Sequence, residues 1–456
     1  MKAILQPKVL GAVAGAVALA TAMNANAVPS FARQTGLACM ACHTVFPELT
    51  PFGRTFKLNG YTLTGIQQIE QKAGVGTGGV KINSIPPLSA MLQVGMTHVS
   101  KTPAGTQNNN VEFPQQLSFF FAGEVTPHIG SFLQFTIAQA DGGGFALDNS
   151  DIRYANHTTV GGSPLAYGID VNNTPTVADL WNSTPAWGFP FASQDSYDTP
   201  AASVLIGSDA LNQNVAGLGA YAMWDNHLYG DVTLYRSAHF GSATPVNGSA
   251  TYKKPNGTVS PYGDASANTI KNIAPYWRLA YQTNFGQNYL MVGTYGMYAQ
   301  MYPGANAGTP GISGPTDDYT DTAIDTQYER PFGGNMVSVH ASYMHEKQNL
   351  HASAPGEGTT NLNEFKVNGI YHWGNEAEVA LAYDNLSGSK NATVQQNVYG
   401  NSNDSPDSTA YIAQVSYLPW ENTKFSLQYT AYGKFNGTSD NASDNNTLYL
   451  LGWLMW

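Results

Sequence analysis

From about residue 87 to the C-terminus, short segments with alternating apolar and polar side chains follow one another, joined by tight turns and long loops in strict alternation. Leu117, Phe119, Phe121, Gly123 and Val125 alternate with Ser118, Phe120, Ala122 and Glu124. A turn at Thr126-Pro127-His128 follows, and then Leu133, Phe135 and Ile137 alternate with Gln134, Thr136 and Ala138. A period of two is the signature of strands with one apolar face. Read along the chain, it predicts strands at 88–99, 116–125, 130–140, 151–159, 164–172, 214–225, 227–238, 273–284, 288–302, 318–329, 335–348, 362–373, 376–387, 409–418, 422–435 and 446–456.

The connections sharpen the reading. Asp225-Asn226, Phe285-Gly286-Gln287, Pro331-Phe332-Gly333-Gly334, Gly374-Asn375 and Pro419-Trp420-Glu421 read as tight turns. Long Gly/Asn/Ser/Thr/Pro-rich loops occupy 100–115, 141–150, 173–213, 239–272, 303–317, 349–361, 388–408 and 436–445. A sandwich or a β-helix has no reason to gather its long loops at one end, whereas outer-membrane barrels do so. The expected fold class is therefore all-β, a transmembrane antiparallel β-barrel of about sixteen strands. Its even strand number puts both barrel ends in the periplasm and the long loops outside the cell.

Composition agrees. Charged residues are only 11%, Gly (47), Tyr (26) and Phe (19) are abundant, and mean hydropathy is -0.23. Alternating faces average to such a value without any apolar run long enough for a spanning helix. The last segment, Leu448 to Trp456, is strongly apolar and ends on an aromatic residue, like the terminal strand of outer-membrane proteins. A net charge of -11 disfavours nucleic acid, which needs clustered Lys and Arg.

The N-terminus reads differently. Lys2 and Lys8, the apolar stretch Val9 to Ala22, and Ala25-Asn26-Ala27 form an export leader at 1–27. Three regions follow from this: the leader, a small α-helical domain at 28–86, and the barrel at 87–456. The small domain carries the only two cysteines, in Cys39-Met40-Ala41-Cys42-His43. This C-x-x-C-H pattern is the attachment site of one covalently bound haem c: two thiols bond the porphyrin vinyl groups, and the adjacent histidine ligates the iron axially. A redox dithiol wants a βαβ setting and a zinc site wants two more ligands, and neither is present.

Downstream, Thr50-Pro51 reads as the start of a short helix and Asn59-Gly60 as its end. Phe52 and Phe56 share a face suited to covering a porphyrin, while Arg54 and Lys57 are candidate partners of its propionates or plain surface cations. No methionine or histidine lies between His43 and Met91, so the iron's sixth ligand has to come from the barrel or be missing. Met336, Ser338, His340, Ser342 and Met344 read as lumen-facing. His372 shares a face with Glu364, Lys366 and Asn368, and His157 with Arg153. The candidates are His340, His372 and Met344.

The segment Phe31-Ala32-Arg33-Gln34-Thr35-Gly36-Leu37-Ala38-Cys39, with Cys42-His43, Phe46-Pro47, Phe52-Gly53-Arg54, Phe56-Lys57 and Asn59-Gly60-Tyr61-Thr62, resembles the fused outer-membrane monohaem c-type cytochrome–porins of iron-oxidising bacteria. The match covers about 31–65, and beyond it the similarity is architectural. The resemblance implies an oxidoreductase that takes electrons from extracellular Fe(II) through one haem on Cys39, Cys42 and His43. They pass on to a periplasmic electron-carrier cytochrome, with outer-membrane lipid around the barrel. A haem domain in the lumen would carry electrons while keeping the metal out. Two alternatives stand beside this: a haem-plugged porin passing small solutes, and a cytochrome delivering electrons outward. Asp317, Asp318, Asp321, Asp404 and Asp407, read as loop residues, serve to solubilise the loops or to attract cations.

Overall fold

A computed structural model describes residues 29–44, 47–63, 87–102, 104–138, 144–182, 189–192, 215–238, 251–253, 259–261, 269–302, 314–398 and 401–456. The expected leader at 1–27 lies outside the described residues, as does the part of the N-terminal domain at 64–86.

Sixteen long strands form one antiparallel sheet. They are β1 (Leu88–Val99), β2 (Asn110–Thr126), β3 (Ile129–Ala138), β4 (Phe145–Val160), β5 (Ser163–Asn172), β6 (Val215–Trp224), β7 (Leu228–Ser237) and β8 (Ala274–Phe285). The second half holds β9 (Asn288–Tyr302), β10 (Asp317–Phe332), β11 (Asn335–Asn349), β12 (Thr359–Trp373), β13 (Ala377–Gly388), β14 (Ser408–Trp420), β15 (Thr423–Lys434) and β16 (Thr447–Met455). Each pairs with its neighbour in sequence. β16 then pairs back onto β1, with Met91 opposite Met455. The sheet is closed, so its backbone groups are paired all the way round, as a lipid setting requires. The two-residue strand Thr269–Ile270 joins β9, and Thr251–Lys253 pairs separately with Val259–Pro261.

Every expected strand is present. Two begin well before the alternation suggested: β2 at Asn110 and β4 at Phe145. In these extensions both faces are largely exposed, so the apolar period fades while the backbone pairing continues. Asp317, Asp318 and Asp321, read as loop residues, lie in β10 instead. Asp317 and Asp321 are both 1% exposed, and Asp317 accepts hydrogen bonds from Ala352 N and Ser353 N.

The turns at one end are minimal. Gly333 and Gly334 join β10 to β11 at φ 56° and 82°, the positive region a two-residue hairpin turn needs. Outward side chains form the apolar belt: Leu218 (61%), Ile324 (61%) and Leu381 (62%) are exposed on the barrel's outer surface. On β8, Trp277, Leu279 and Tyr281 point out while Tyr276, Arg278 and Ala280 point in. No described helix is long and apolar enough to cross a membrane, and the barrel spans with its strands.

Three short helices lie inside the short-turn end: α1 (Pro29–Thr35), α2 (Cys39–Cys42) and α3 (Pro51–Leu58). They contact walls around the ring. Ser30 meets Ser89 of β1, Gln34 meets Glu124 of β2, and Gly60 packs on Gly130 of β3. Tyr61 donates to Asp151 of β4, Leu58 accepts from Tyr221 of β6, and Arg54 reaches Glu329 of β10. The described residues 29–44 and 47–62 thus lie in the barrel as a plug. The segment after β5 also turns inward: α4 (Pro175–Ala178) leads to Leu180 and Trp181, each 1% exposed, and Trp181 Nε1 donates to Tyr289 Oη at 2.7 Å.

Candidate functional site

The C-x-x-C-H segment is held between the plug helices and the barrel base. α2 is one turn, closed by His43 N donating to Cys39 O at 3.0 Å. Thr50 N donates to Cys42 O at 2.9 Å, and Thr50 Oγ1 to Ala41 O at 2.6 Å, so the loop 43–50 returns onto the helix it left. Thr50 also caps α3 by accepting from Gly53 N at 3.1 Å, with Pro51 in the first turn, as the sequence suggested. Gly53 is obligatory by contact. A Cβ there would lie 2.2 Å from Cys42 O, inside any permitted distance.

Cys39 is 5% exposed and Cys42 half-buried, and no disulfide joins them. Cys39 belongs to one buried cluster with Met91, Phe120, Tyr449, Trp453 and Met455 from β1, β2 and β16. Phe31 packs at its margin and stacks on Tyr61, centroids 5.4 Å apart. The inner face of β16 is apolar because the plug rests on it, which explains why this strand reads as apolar on both faces. Its backbone N also ties the motif down: Cys39 N donates to Glu421 Oε2 at 3.1 Å in the β14–β15 turn.

His43 is oriented for ligation. Its Nδ1 lies 3.1 Å from Glu48 O, so Nδ1–H donates there and the lone pair sits on Nε2. Burial, opposed by the backbone carbonyls of Glu48 and Pro47, pushes the imidazole down to about 4, which keeps it neutral. Among the described residues no group of three or more His, Cys, Asp and Glu is arranged to hold a bare metal ion. The donor set is instead two cysteines and one oriented neutral histidine beside a buried aromatic cluster. That arrangement fits a porphyrin bonded at its edge.

The other sequence candidates are distributed as follows. His340 Nδ1 lies 3.1 Å from Glu48 Oε1. Ser338 Oγ donates to Glu48 Oε2 at 3.1 Å and lies 3.4 Å from His372 Nε2, while His372 Nδ1 is 3.6 Å from Glu378. Both histidines therefore converge on the Glu48 carboxylate. Burial opposes its ionisation, but His340 and His372 outweigh it and hold the carboxyl below its ordinary range. Met344 faces the lumen but is clustered with Leu350, Ala354 and Val394 of the long-loop end, apart from the motif.

Two cations have roles the sequence did not reveal. Arg54 forms a bidentate pair with Glu329 at 2.6 and 3.2 Å, under the ring of Tyr289. Lys57 Nζ donates to Asp179 O at 2.6 Å and Asn182 Oδ1 at 2.8 Å. Neither is a surface cation, and both clamp the plug to its surroundings. Phe52 and Phe56 do not form a joint cover, since Phe52 is exposed and Phe56 is buried against Phe31. His157 bonds Asn59 at 3.0 Å. The inward turn at Leu180-Trp181 was signalled only by two apolar residues in a polar loop after Thr174-Pro175.

No protein-family model and no curated protein matches the sequence. Solved structures resemble it in shape. The outer membrane channel DcaP of Acinetobacter baumannii is 10% identical over 81% of this chain and 96% of its own, with TM-score 0.45. OmpF of Salmonella typhi, in complex with daunomycin, is 11% identical over 81% and 97%, at 0.45. The anion-selective porin from Comamonas acidovorans is 12% identical over 81% and 98%, at 0.43. The closed antiparallel barrel itself rests on the strand ladders of this chain.

Proposed function

We propose that the protein is an electron-transfer cytochrome of the bacterial outer membrane, taking electrons from extracellular Fe(II) or a similar donor toward a periplasmic cytochrome. The observation that carries this reading is the orientation of His43 by Glu48 O, beside Cys39 and Cys42, in a segment docked on the inner wall of the barrel. A plug whose only task is to block needs neither paired thiols nor an oriented neutral imidazole. When bound, a haem supplies a one-electron Fe(III)/Fe(II) couple at this place. The chain's own residues do the rest. Cys39 and Cys42 would hold the porphyrin edge, Glu48 O sets the tautomer of His43, and the buried aromatic cluster beside Cys39 would keep water from it. Arg54 and Lys57 anchor the segment that carries the site to the surrounding barrel residues.

The second reading is a porin whose plug gates solute passage, with the haem regulatory. The barrel favours it, because sixteen strands enclose a lumen wide enough for small solutes. An anaerobic visible spectrum of oxidised protein, before and after Fe(II), tests the first reading. Rapid reduction of the haem bands is expected. Reduction by dithionite alone would exclude Fe(II) as donor, and an open conductance in planar bilayers would favour the porin.

A further inference from the structure

We infer that the Met91–Met455 pair on the lumen wall supplies the sixth ligand of an iron held by His43. This rests on the haem reading above and extends it to a residue pair outside the motif.

The direction of His43 limits where that ligand can be. Its Nδ1 donates to the backbone carbonyl of Glu48, whose side-chain carboxylate is held by Ser338 and His340 on β11. Nε2 is the other edge of the ring, and a sixth ligand must stand beyond the porphyrin on that side. His340 meets the Glu48 carboxylate through Nδ1, while His372 has Nε2 beside Ser338 Oγ and Nδ1 beside Glu378. His157 is likewise held by Asn59. Each of these lumen histidines is thus engaged elsewhere through at least one ring nitrogen.

Cys39 faces a different wall. Its cluster is built by β16, β1 and β2, five strands round the ring from β11 to β16. Two members of that cluster carry a soft neutral donor, Met91 and Met455. They are register partners across the closure of the barrel, each 4% exposed and each pointing inward. Opposed residues on antiparallel strands have Cβ atoms about 5 Å apart, so either flexible thioether can reach the same point. Tyr449 of the same cluster gives its hydroxyl to Gln115, and Gln93 Nε2 donates a long, weak hydrogen bond to Met91 Sδ at 4.0 Å. A thioether is uncharged, so placing it in an apolar pocket carries no ionic desolvation cost. Methionine also raises the potential relative to a second histidine.

The test uses full-length holoprotein and three variants: Met91→Leu, Met455→Leu and the double replacement, all near-isosteric. Covalent haem is measured by peroxidase staining after denaturing electrophoresis, and ligation by the thioether-to-iron charge-transfer band and magnetic circular dichroism of the oxidised protein. The expected result is that wild type shows the band and the double variant loses it, with equal covalent haem and a lowered reduction potential. Loss in one single variant identifies the ligating residue. A band that survives in the double variant, or wild type with covalent haem and no band, overturns the assignment while leaving the haem site standing. Wild type without covalent haem overturns the haem reading itself.

Discussion

Arg54 and Glu329 lie 275 residues apart in sequence and form a two-pronged ion pair, 3% and 4% exposed, between plug helix and barrel wall. Such a pair is costly to break from one side. Glu329→Ala would strand a guanidinium among buried groups, at about 3–5 kcal/mol against docking. The expected outcome is that the plug becomes cleavable by added protease while the barrel stays heat-resistant on electrophoresis. Unchanged protease resistance would mean that the plug is held by its other contacts. Replacing both partners with apolar residues of similar size should recover much of the loss, because no uncompensated charge remains.

Gly53→Ala probes the motif without touching a ligand. Its Cβ would meet the Cys42 carbonyl backbone at 2.2 Å, and backbone cannot swing aside as a flexible side chain can. The α3–α2 contact must open, and with it the return of the loop 43–50. Covalent haem incorporation should fall severalfold, with barrel assembly unaffected. Gly230→Ala, with nothing within 4 Å of the added Cβ and no positive φ, is the control. Equal haem content in the two variants would show that α3 need not press on Cys42.

The strands were legible because every one has an apolar outer face against a polar or packed inner face, and the period of two survives any tilt. The chemistry-bearing residues Cys39, Cys42 and His43 were legible for a different reason, their contiguity. What was hidden depended on long-range docking. Nothing near Arg54 or Lys57 in sequence points to Glu329 or to Asp179 and Asn182. Met344 shows the limit of face-reading. Its parity was right, but it stands ten residues beyond the Gly333-Gly334 turn, about 30 Å along the strand, at the wrong height for the motif. Met91 and Met455 were overlooked because alternation gives a face but not which two strands close the ring. Their partnership exists only once β16 meets β1.

Lys57 predicts a pH dependence of docking. Burial, reinforced by Arg153, pushes its ammonium from the ordinary 10.5 down to about 7, although Asp151, Asp179 and Asp170 oppose this. Between about pH 7 and pH 10 the undocked chain therefore binds more protons at Lys57 than the docked one. Stability then rises with pH across that window. Plug protection from protease should increase from pH 7 to pH 9.5 in wild type, and Lys57→Met should lose this increment. A wild-type profile that is flat, or that falls with pH, would show that Lys57 keeps its charge in the folded protein.

His340→Ala separates support from ligation. In the structure His340 pairs with the Glu48 carboxylate, whose own backbone carbonyl orients His43. Removing the imidazole leaves Glu48 its bonds from Thr44 Oγ1 at 3.0 Å and Ser338 Oγ at 3.1 Å, so the loss is partial, about 1–3 kcal/mol. The carboxyl should take up a proton at higher pH than in wild type, since its nearest positive partner is gone. The site would then loosen as pH falls through that higher value. At neutral pH the haem spectrum should keep its wild-type ligand-field bands, with only a lowered melting temperature. A change of spin state or loss of an axial ligand signature in His340→Ala would instead make His340 a ligand.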